Sequence, residues 1–215
     1  MGCLRSSRKT EGVEIMTAPE APQINLLGLG IRSVAMQSLL KALPRDVNLL
    51  EDPESAQAAI RNVEQPLVID GAVSPPIAAT KLRKLGVVEL LLERIKAGAP
   101  LLVSGEAAVA MASGRLQGAI RGLGLLPAQL VRFPRPSESG VRAIAARVPQ
   151  KAWFDHEYLF VTEDQSWSAG ESPTGLLARG NIRVCAFDAA RSAGFGRVFV
   201  ANWIDSDISS REEAA

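Results

Sequence analysis

The sequence predicts an α/β domain, a mostly parallel sheet flanked by helices, with antiparallel additions in its second half. Two observations carry this. Through the first half, short apolar runs alternate with stretches of helical periodicity in the order β-α-β-α-β-α-β. Continuous apolar runs, as opposed to alternating ones, mark parallel strands covered on both faces. After Ala112 the pattern changes: strand-like runs are separated by Pro-, Gly- and Ser-rich connections such as 134–140 and 168–175.

The elements follow in order. Ile24-Asn25-Leu26-Leu27 reads as a first strand, ended by Gly28 and Gly30. Ser33 is placed to cap the next helix, with Val34, Leu39, Leu40 and Leu43 as its apolar stripe and Pro44 as its stop. Val47 to Leu50 is a short second strand. Asp52-Pro53 starts another helix, Asp as N-cap and Pro at the first helical position. Pro66 to Asp70 is a buried strand turned by Gly71. Ile77 to Ala97 carries one long helical period through Leu85, Val88, Leu91, Leu92 and Ile95. Pro100 to Ser104 is the next buried strand, closed by Gly105, and Glu106 to Ala112 reads as helix. In the second half, Gln129 to Phe133, Leu159 to Val161 and Ile182 to Phe187 are strands, and Phe195 to Ile204 is a last helix. The expected organisation is an extension over 1–22, one domain over 23–208 and a tail over 209–215.

Composition narrows the function classes. Of the 215 residues, 47% are hydrophobic and 22% charged, and the net charge is +1. These are values of a globular domain with no electrostatic reason to bind nucleic acid or membrane. No apolar run approaches the roughly 20 residues of a membrane helix. Two cysteines, Cys3 and Cys185, are too few for a disulfide framework or a zinc site and fit a reducing cytoplasm. The residues call for no cofactor and no metal. Met1 to Ser6 fits a myristoylation pattern, with Cys3 as a palmitoylation site. Against that stands Met16 as the true start, since Gly12 to Ile15 can be encoded by a purine-rich ribosome-binding sequence.

Several runs carry a family resemblance. Arg121 to Pro127 with Val131-Arg132-Phe133 is similar to a GLGLIPG…VVRF run. Val148 to Trp153 stands at VPHMGW, and Tyr158 to Thr162 at a YFVH segment. Gly28 to Val34 is similar to GxGNxRSV lacking its Asn, Gly98 to Leu102 to GKPLL, and Gly196 to Trp203 to GLxxLxNF. These anchors keep order and spacing from Ile24 to Trp203. Together they resemble the glutaminase subunit of imidazole glycerol phosphate synthase, in the class I glutamine amidotransferase family. The resemblance implies a flavodoxin-like fold. It also implies a Cys nucleophile on a strand-to-helix elbow, a His base and a Glu that orients it.

The catalytic positions are substituted. The family's GICLGMQ elbow falls on Val103 to Val109, so the nucleophile position is Gly105. Its QFHPEKS falls on Ala186 to Ser192, so the His position is Asp188 and the Glu position Ala190; Phe187, Ser192 and Asn202-Trp203 set this register. LPGVGAF falls on Ile69 to Pro75. The oxyanion turn is then Gly71, Ala72 and Val73, with a β-branched Val where the family has Gly. The expectation is a pseudo-glutaminase of the histidine-biosynthesis family whose glutaminase activity, and with it glutamine binding, is in doubt. Its implied partner is a (β/α)8-barrel cyclase, held non-covalently as a heterodimer. Trp153, with Gln150 and Lys151, is the candidate contact. A second reading gives Glu106 and Asp188 to a different small molecule in the old pocket; a third keeps residual glutaminase activity.

Bland readings stand beside these residues. Cys185 reads as a buried structural cysteine, and Ser104 as pointing away from the elbow. His156, the single histidine, reads as a solvated loop residue. Glu106 favours a helix N-terminus electrostatically, and Asp188 reads as solvated. Gly28 and Gly30 lack the third glycine of a dinucleotide fingerprint.

Overall fold

The computed structural model describes residues 23–117, 120–132, 141–144, 148–169, 173–192 and 194–212. The expected extension over 1–22 lies outside them. Strand β1 (Ile24–Gly28) enters the core with Ile24, Leu26 and Leu27 buried. Helix α1 (Ser33–Lys41) follows, then β2 (Val47–Leu49), α2 (Pro53–Arg61) and β3 (Leu67–Asp70). The expected cap of α2 is present: Asp52 is extended and its Oδ1 accepts the Ser55 N–H at 2.8 Å, with Pro53 in the first turn. Ser33 does not cap α1. It lies inside the helix, and its hydroxyl donates to Gly30 O at 2.7 Å.

The single long helix expected over Ile77 to Ala97 is two: α3 (Pro75–Lys84) and α4 (Val88–Lys96). Gly86, at φ 66°, turns the chain between them. The apolar period runs through the break, because Leu82 of α3 and Leu91 and Ile95 of α4 are buried in one core. Arg94 of α4 is 1% exposed. Its guanidinium donates to the carbonyls of Ile60 at 3.1 Å, Asn62 at 2.8 Å and Pro100 at 2.8 Å, to Ala59 O at 3.3 Å, and also to Gln65 O.

Strand β4 (Leu101–Ser104) is buried throughout, as is α5 (Glu106–Met111) behind it. The second half adds β5 (Arg115–Gln117), β6 (Ile120–Arg121), β7 (Gln129–Arg132), β8 (Val141–Ile144), β9 (Val148–Trp153), β10 (Tyr158–Val161), β11 (Ser168–Ala169), β12 (Leu176–Arg179) and β13 (Ile182–Cys185). Helix α6 (Phe195–Glu212) closes the chain, running past Ile204 and into the residues expected as a tail.

The main sheet has the order β11-β12-β13-β4-β3-β1-β2. Its five strands from β2 to β13 are parallel, and β12 and β11 add antiparallel at one edge. Strands β7 and β10, β5 and β6, and β8 and β9 form separate antiparallel pairs. The expected fold class is therefore observed, antiparallel additions included. The chain leaves β1 toward β2 and then returns to β3 on the other side. That reversal opens a crevice at the carboxyl ends of β1 and β3, the usual ligand position in such sheets. Gly71, at φ 92°, sits at this crevice; a Cβ there would strike Ser33 and lie 2.5 Å from its Cα. Among the described residues no helix is long and apolar enough to cross a membrane.

Candidate functional site

The carboxyl end of β4 turns sharply into α5 at Gly105, which has φ 62° and ψ −134°. A side-chain-bearing residue adopts such a backbone only under strain, and nucleophile elbows store that strain. The turn is fixed from below. Gly105 N–H is shared between Cys185 O at 2.9 Å and Phe187 O at 3.0 Å. The Ser104 hydroxyl accepts from Ala189 N at 2.9 Å and faces Phe187 O at 3.4 Å. It belongs to the framework, as its expected orientation implied.

The structure brings Gly105 and Asp188 together. A Cβ on Gly105 would lie 3.8 Å from Asp188 Cα and 3.9 Å from its Cβ, ordinary contact with no clash. The elbow thus has its shape and room for a side chain but no nucleophile. Asp188 is 5% exposed, so it is buried and not solvated as expected. Its backbone N–H donates to Trp153 O at 2.8 Å, and its Oδ1 accepts Arg191 N–H at 3.0 Å. Ala190 presents only a methyl group, packed against the core. The residues that set the register have defined places. Phe187 is fully buried among Phe154, Phe195 and Phe199. Ser192 Oγ donates to Asp188 O at 2.6 Å and accepts Trp153 N–H at 3.0 Å, and Trp203 Nε1 donates to Asn181 O at 2.8 Å.

Around the elbow lies an ion-pair network that the sequence reading missed. Arg32 Nη1 meets Glu106 Oε1 at 2.5 Å and Asp155 Oδ2 at 2.7 Å. Arg191 Nη1 pairs with the same Asp155 Oδ2, and its guanidinium lies 4.4 Å from the centre of the Trp153 ring. Trp153 Nε1 donates to Asp155 Oδ1 at 2.9 Å. Arg32 and Arg191 both fall inside runs quoted above as family anchors, but residue type alone assigned them no partner. Asp155 stands in a polar stretch whose consecutive Asp155, His156 and Glu157 suggest a metal site that adjacent residues rarely build, and nothing there points to Arg32 or Arg191.

Three buried carboxyls converge here. Burial pushes Asp70, at the end of β3, well up; the charges of Asp188 and Glu106 add to this, and a hydrogen bond with Ser104 opposes it. Asp70 Oδ2 has no hydrogen-bond partner among the described residues. Burial pushes Glu106 up to about 7, against its own backbone N–H and Arg32, with Asp155 and Asp188 adding to the rise. Burial likewise raises Asp188, partly offset by Arg191. Glu106 and Asp188 are therefore a buried pair, contrary to the expected solvated Asp188.

The sign of the pH effect follows. Between about 4.5 and about 7 the folded chain keeps a proton on Glu106 that the unfolded chain has released. Its stabilising contribution is complete below that window and is lost as pH rises through it, on the order of 3 kcal/mol. Thermal melts at about pH 5 and about pH 8 should show the higher Tm at the acidic end, and Glu106→Gln should reduce the difference, leaving the part due to Asp70 and Asp188. An unchanged slope in that variant counts against this assignment.

A cavity of about 160 Å³ opens beside the network, lined by Val73, Ser74, Glu106, Asp155, His156 and Tyr158 among others. Its walls include neither Gly105 nor Asp188. Val73 is 49% exposed at its mouth, Ala72 is fully buried, and Gly71 holds the turn above Ser33. His156 is 6% exposed, not solvated: its Nδ1 accepts Tyr158 N–H at 3.1 Å, and its ring packs between Phe154 and Tyr158. Cys185 is fully buried, which raises its thiol pKa and keeps it inert. Trp153 is half-buried, and the side chains of Gln150 and Lys151 lie outside the described residues. No group of three or more His, Cys, Asp or Glu among the described residues is arranged to hold a metal.

Sheet order, crevice and elbow together define the fold of a glutamine amidotransferase. A crystal structure of a glutamine amidotransferase from Thermotoga maritima superposes with a TM-score of 0.50 at 12% identity, covering 89% of this chain and 86% of that one. In sequence, the chain is similar to imidazole glycerol phosphate synthase subunit HisH. It is 26% identical to that of Herpetosiphon aurantiacus over 189 residues, 79% of this chain and 87% of the relative. It is 28% identical to that of Desulfitobacterium hafniense over 202 residues, 83% and 92%. No family model matches the chain.

Proposed function

We propose that this chain is a pseudo-glutaminase. It keeps the amidotransferase framework, has lost glutamine hydrolysis, and binds or regulates a cyclase-type (β/α)8-barrel partner. The observation that carries this reading is the elbow itself: the strained turn is retained at Gly105, but no thiol stands on it, and the neighbouring positions hold Asp188 and Ala190. Covalent acyl transfer needs a nucleophile and a base within hydrogen-bond reach. The likeness to HisH subunits supports a partner of the cyclase kind.

Trp153, with Gln150 and Lys151, is the proposed contact. Affinity capture on this chain should retain the barrel cyclase of the same cell, and Trp153→Ala should weaken that capture by about tenfold or more, as truncation of an aromatic anchor does. Capture unaffected by Trp153→Ala would remove the contact; failure to retain any cyclase would remove the partner role.

A second reading is favoured by one observation. Glu106, with a carboxyl near neutrality, lines the 160 Å³ cavity, and perturbed groups in cavities mark functional sites. In this reading the cavity takes a different small molecule. Saturable thermal stabilisation by a metabolite panel, lost in Glu106→Gln, supports it; a panel without any such shift opposes it.

A further inference from the structure

The Asp155 carboxylate has three partners from three different parts of the chain. Arg32 comes from the β1–α1 connection, Arg191 from the β13–α6 connection, and the Trp153 indole from the end of β9. Both connections lie at the carboxyl end of the parallel sheet, and Trp153 bridges to Asp188 there. The Arg32 guanidinium continues the chain of contacts to Glu106, the first residue of α5 and the neighbour of Gly105.

Two of these residues have a second position. Glu106 and Asp155 also form part of the cavity wall, whereas Gly105 and Asp188 do not line it. A molecule in the cavity therefore meets the Arg32–Glu106–Asp155 contacts before it reaches the elbow. The network is also strongly held. Glu106 is 4% exposed, the Asp155 side chain 18%, and the two arginines about a third. Ion pairs excluded from water to this degree lose much when one partner is removed, because the others remain desolvated.

We propose that the Arg32–Asp155–Arg191 bridge is a built-in plug that closes the elbow to small amides and orders the loops around it, with Asp155 as its central positioning residue. The proposal rests on the pseudo-glutaminase reading of Gly105. An enzyme that admits substrate leaves its polar groups at the elbow to be satisfied by that substrate. Here Glu106 and Asp155 are met by Arg32 and Arg191 of the chain itself. The loops that a bound ligand would otherwise order are tied by internal charge. Glutamine is thereby excluded at the binding step as well as lost at the chemical one.

Hydrogen exchange on the full-length protein tests the plug. In Asp155→Ala, the amides of Ser33, Val34, Asp188 and Arg191 should exchange about tenfold faster, while those of Leu26, Val68 and Leu102 in the central strands keep their rates. Arg32→Gln cuts one arm only, and should loosen Ser33 and Val34 while leaving Arg191 protected. It also serves if Asp155→Ala fails to fold. Unchanged exchange in the variants overturns the plug. So does saturable binding of L-glutamine to the wild-type chain, read by calorimetry up to millimolar concentrations. Ammonia release is a separate readout: turnover by the wild-type chain sinks the pseudo-glutaminase reading, whatever the exchange rates.

Discussion

Incubated with L-glutamine, alone or with a barrel cyclase, the wild-type protein is expected to release no ammonia above the uncatalysed rate. Removing the nucleophile from a catalytic triad costs about 10⁶-fold in kcat, nearly as much as removing every member, because the members act as one unit. This chain lacks a nucleophile at Gly105 and has no imidazole at Asp188. Gly105→Cys is expected to leave the rate at background. The new side chain has room, since the nearest atoms to its Cβ are those of Asp188 at 3.8 and 3.9 Å. Its neighbour is the obstacle. A thiol becomes a thiolate beside a cation or an imidazolium, whereas a carboxylate at Asp188 raises its pKa. Ala190 carries no group to orient a base, and a β-branched Val73 stands at the position expected for the second oxyanion glycine. An ammonia assay on the wild type and the Gly105→Cys variant checks this directly. Sustained glutamine-dependent release by either overturns the assigned loss.

Replacing Arg94 by Leu should destabilise the fold by about 3–5 kcal/mol, because several hydrogen bonds from one buried guanidinium to carbonyls are lost together. At this chain length that corresponds to a fall in Tm of about 10 °C or more. The reason is local. Arg94 donates to carbonyls of Ala59, Ile60, Asn62, Gln65 and Pro100. It thereby ties the end of α2 and the entry to β3 to the entry to β4. A leucine fills similar space but leaves the carbonyls of the buried residues Ala59, Ile60 and Pro100 without this donor. Arg94→Lys should fall between the two, because three ammonium donors on a flexible stem cannot span the same set. Thermal and denaturant unfolding would measure both. A leucine variant as stable as wild type would mean that the carbonyls find water or other donors.

Much of the fold is legible in the residues. Leu67 to Ile69 and Leu101 to Val103 are continuous apolar runs, and Ile24 to Leu27 is interrupted only by Asn25; runs of that kind have few fates except a strand covered on both faces. Asp52-Pro53 announces its helix because cap chemistry is local. The failures are equally physical. The period through Ile77 to Ala97 hides the break at Gly86, since two helices packed on one core keep a common apolar phase. The edge strands β11 and β12 are short, and β8 and β9 carry no continuous apolar run. Their pairing is set by distant partners and not by their own pattern. Ser33 carries a capping side chain, yet its hydroxyl is drawn to Gly30 O by the close approach of the β1 and β3 connections.

At the site, sequence alone carries the proposal of which groups are missing: Gly105, Asp188 and Ala190 are read from register, and a glycine bears no thiol in any conformation. It could not determine what took their place. Asp188 read as solvated and His156 as a loop residue, but both are buried, and Arg32, Asp155 and Arg191 carried no sign of one another. Those residues are separated by 123 and 36 positions, and only the folding of three connections onto one end of the sheet brings them within contact. Burial, the shift of Glu106 to about 7 and the ion pairs beside the cavity are properties of that shared space. Desolvation and Coulomb energy depend on distance through the fold, which no single stretch of the chain records.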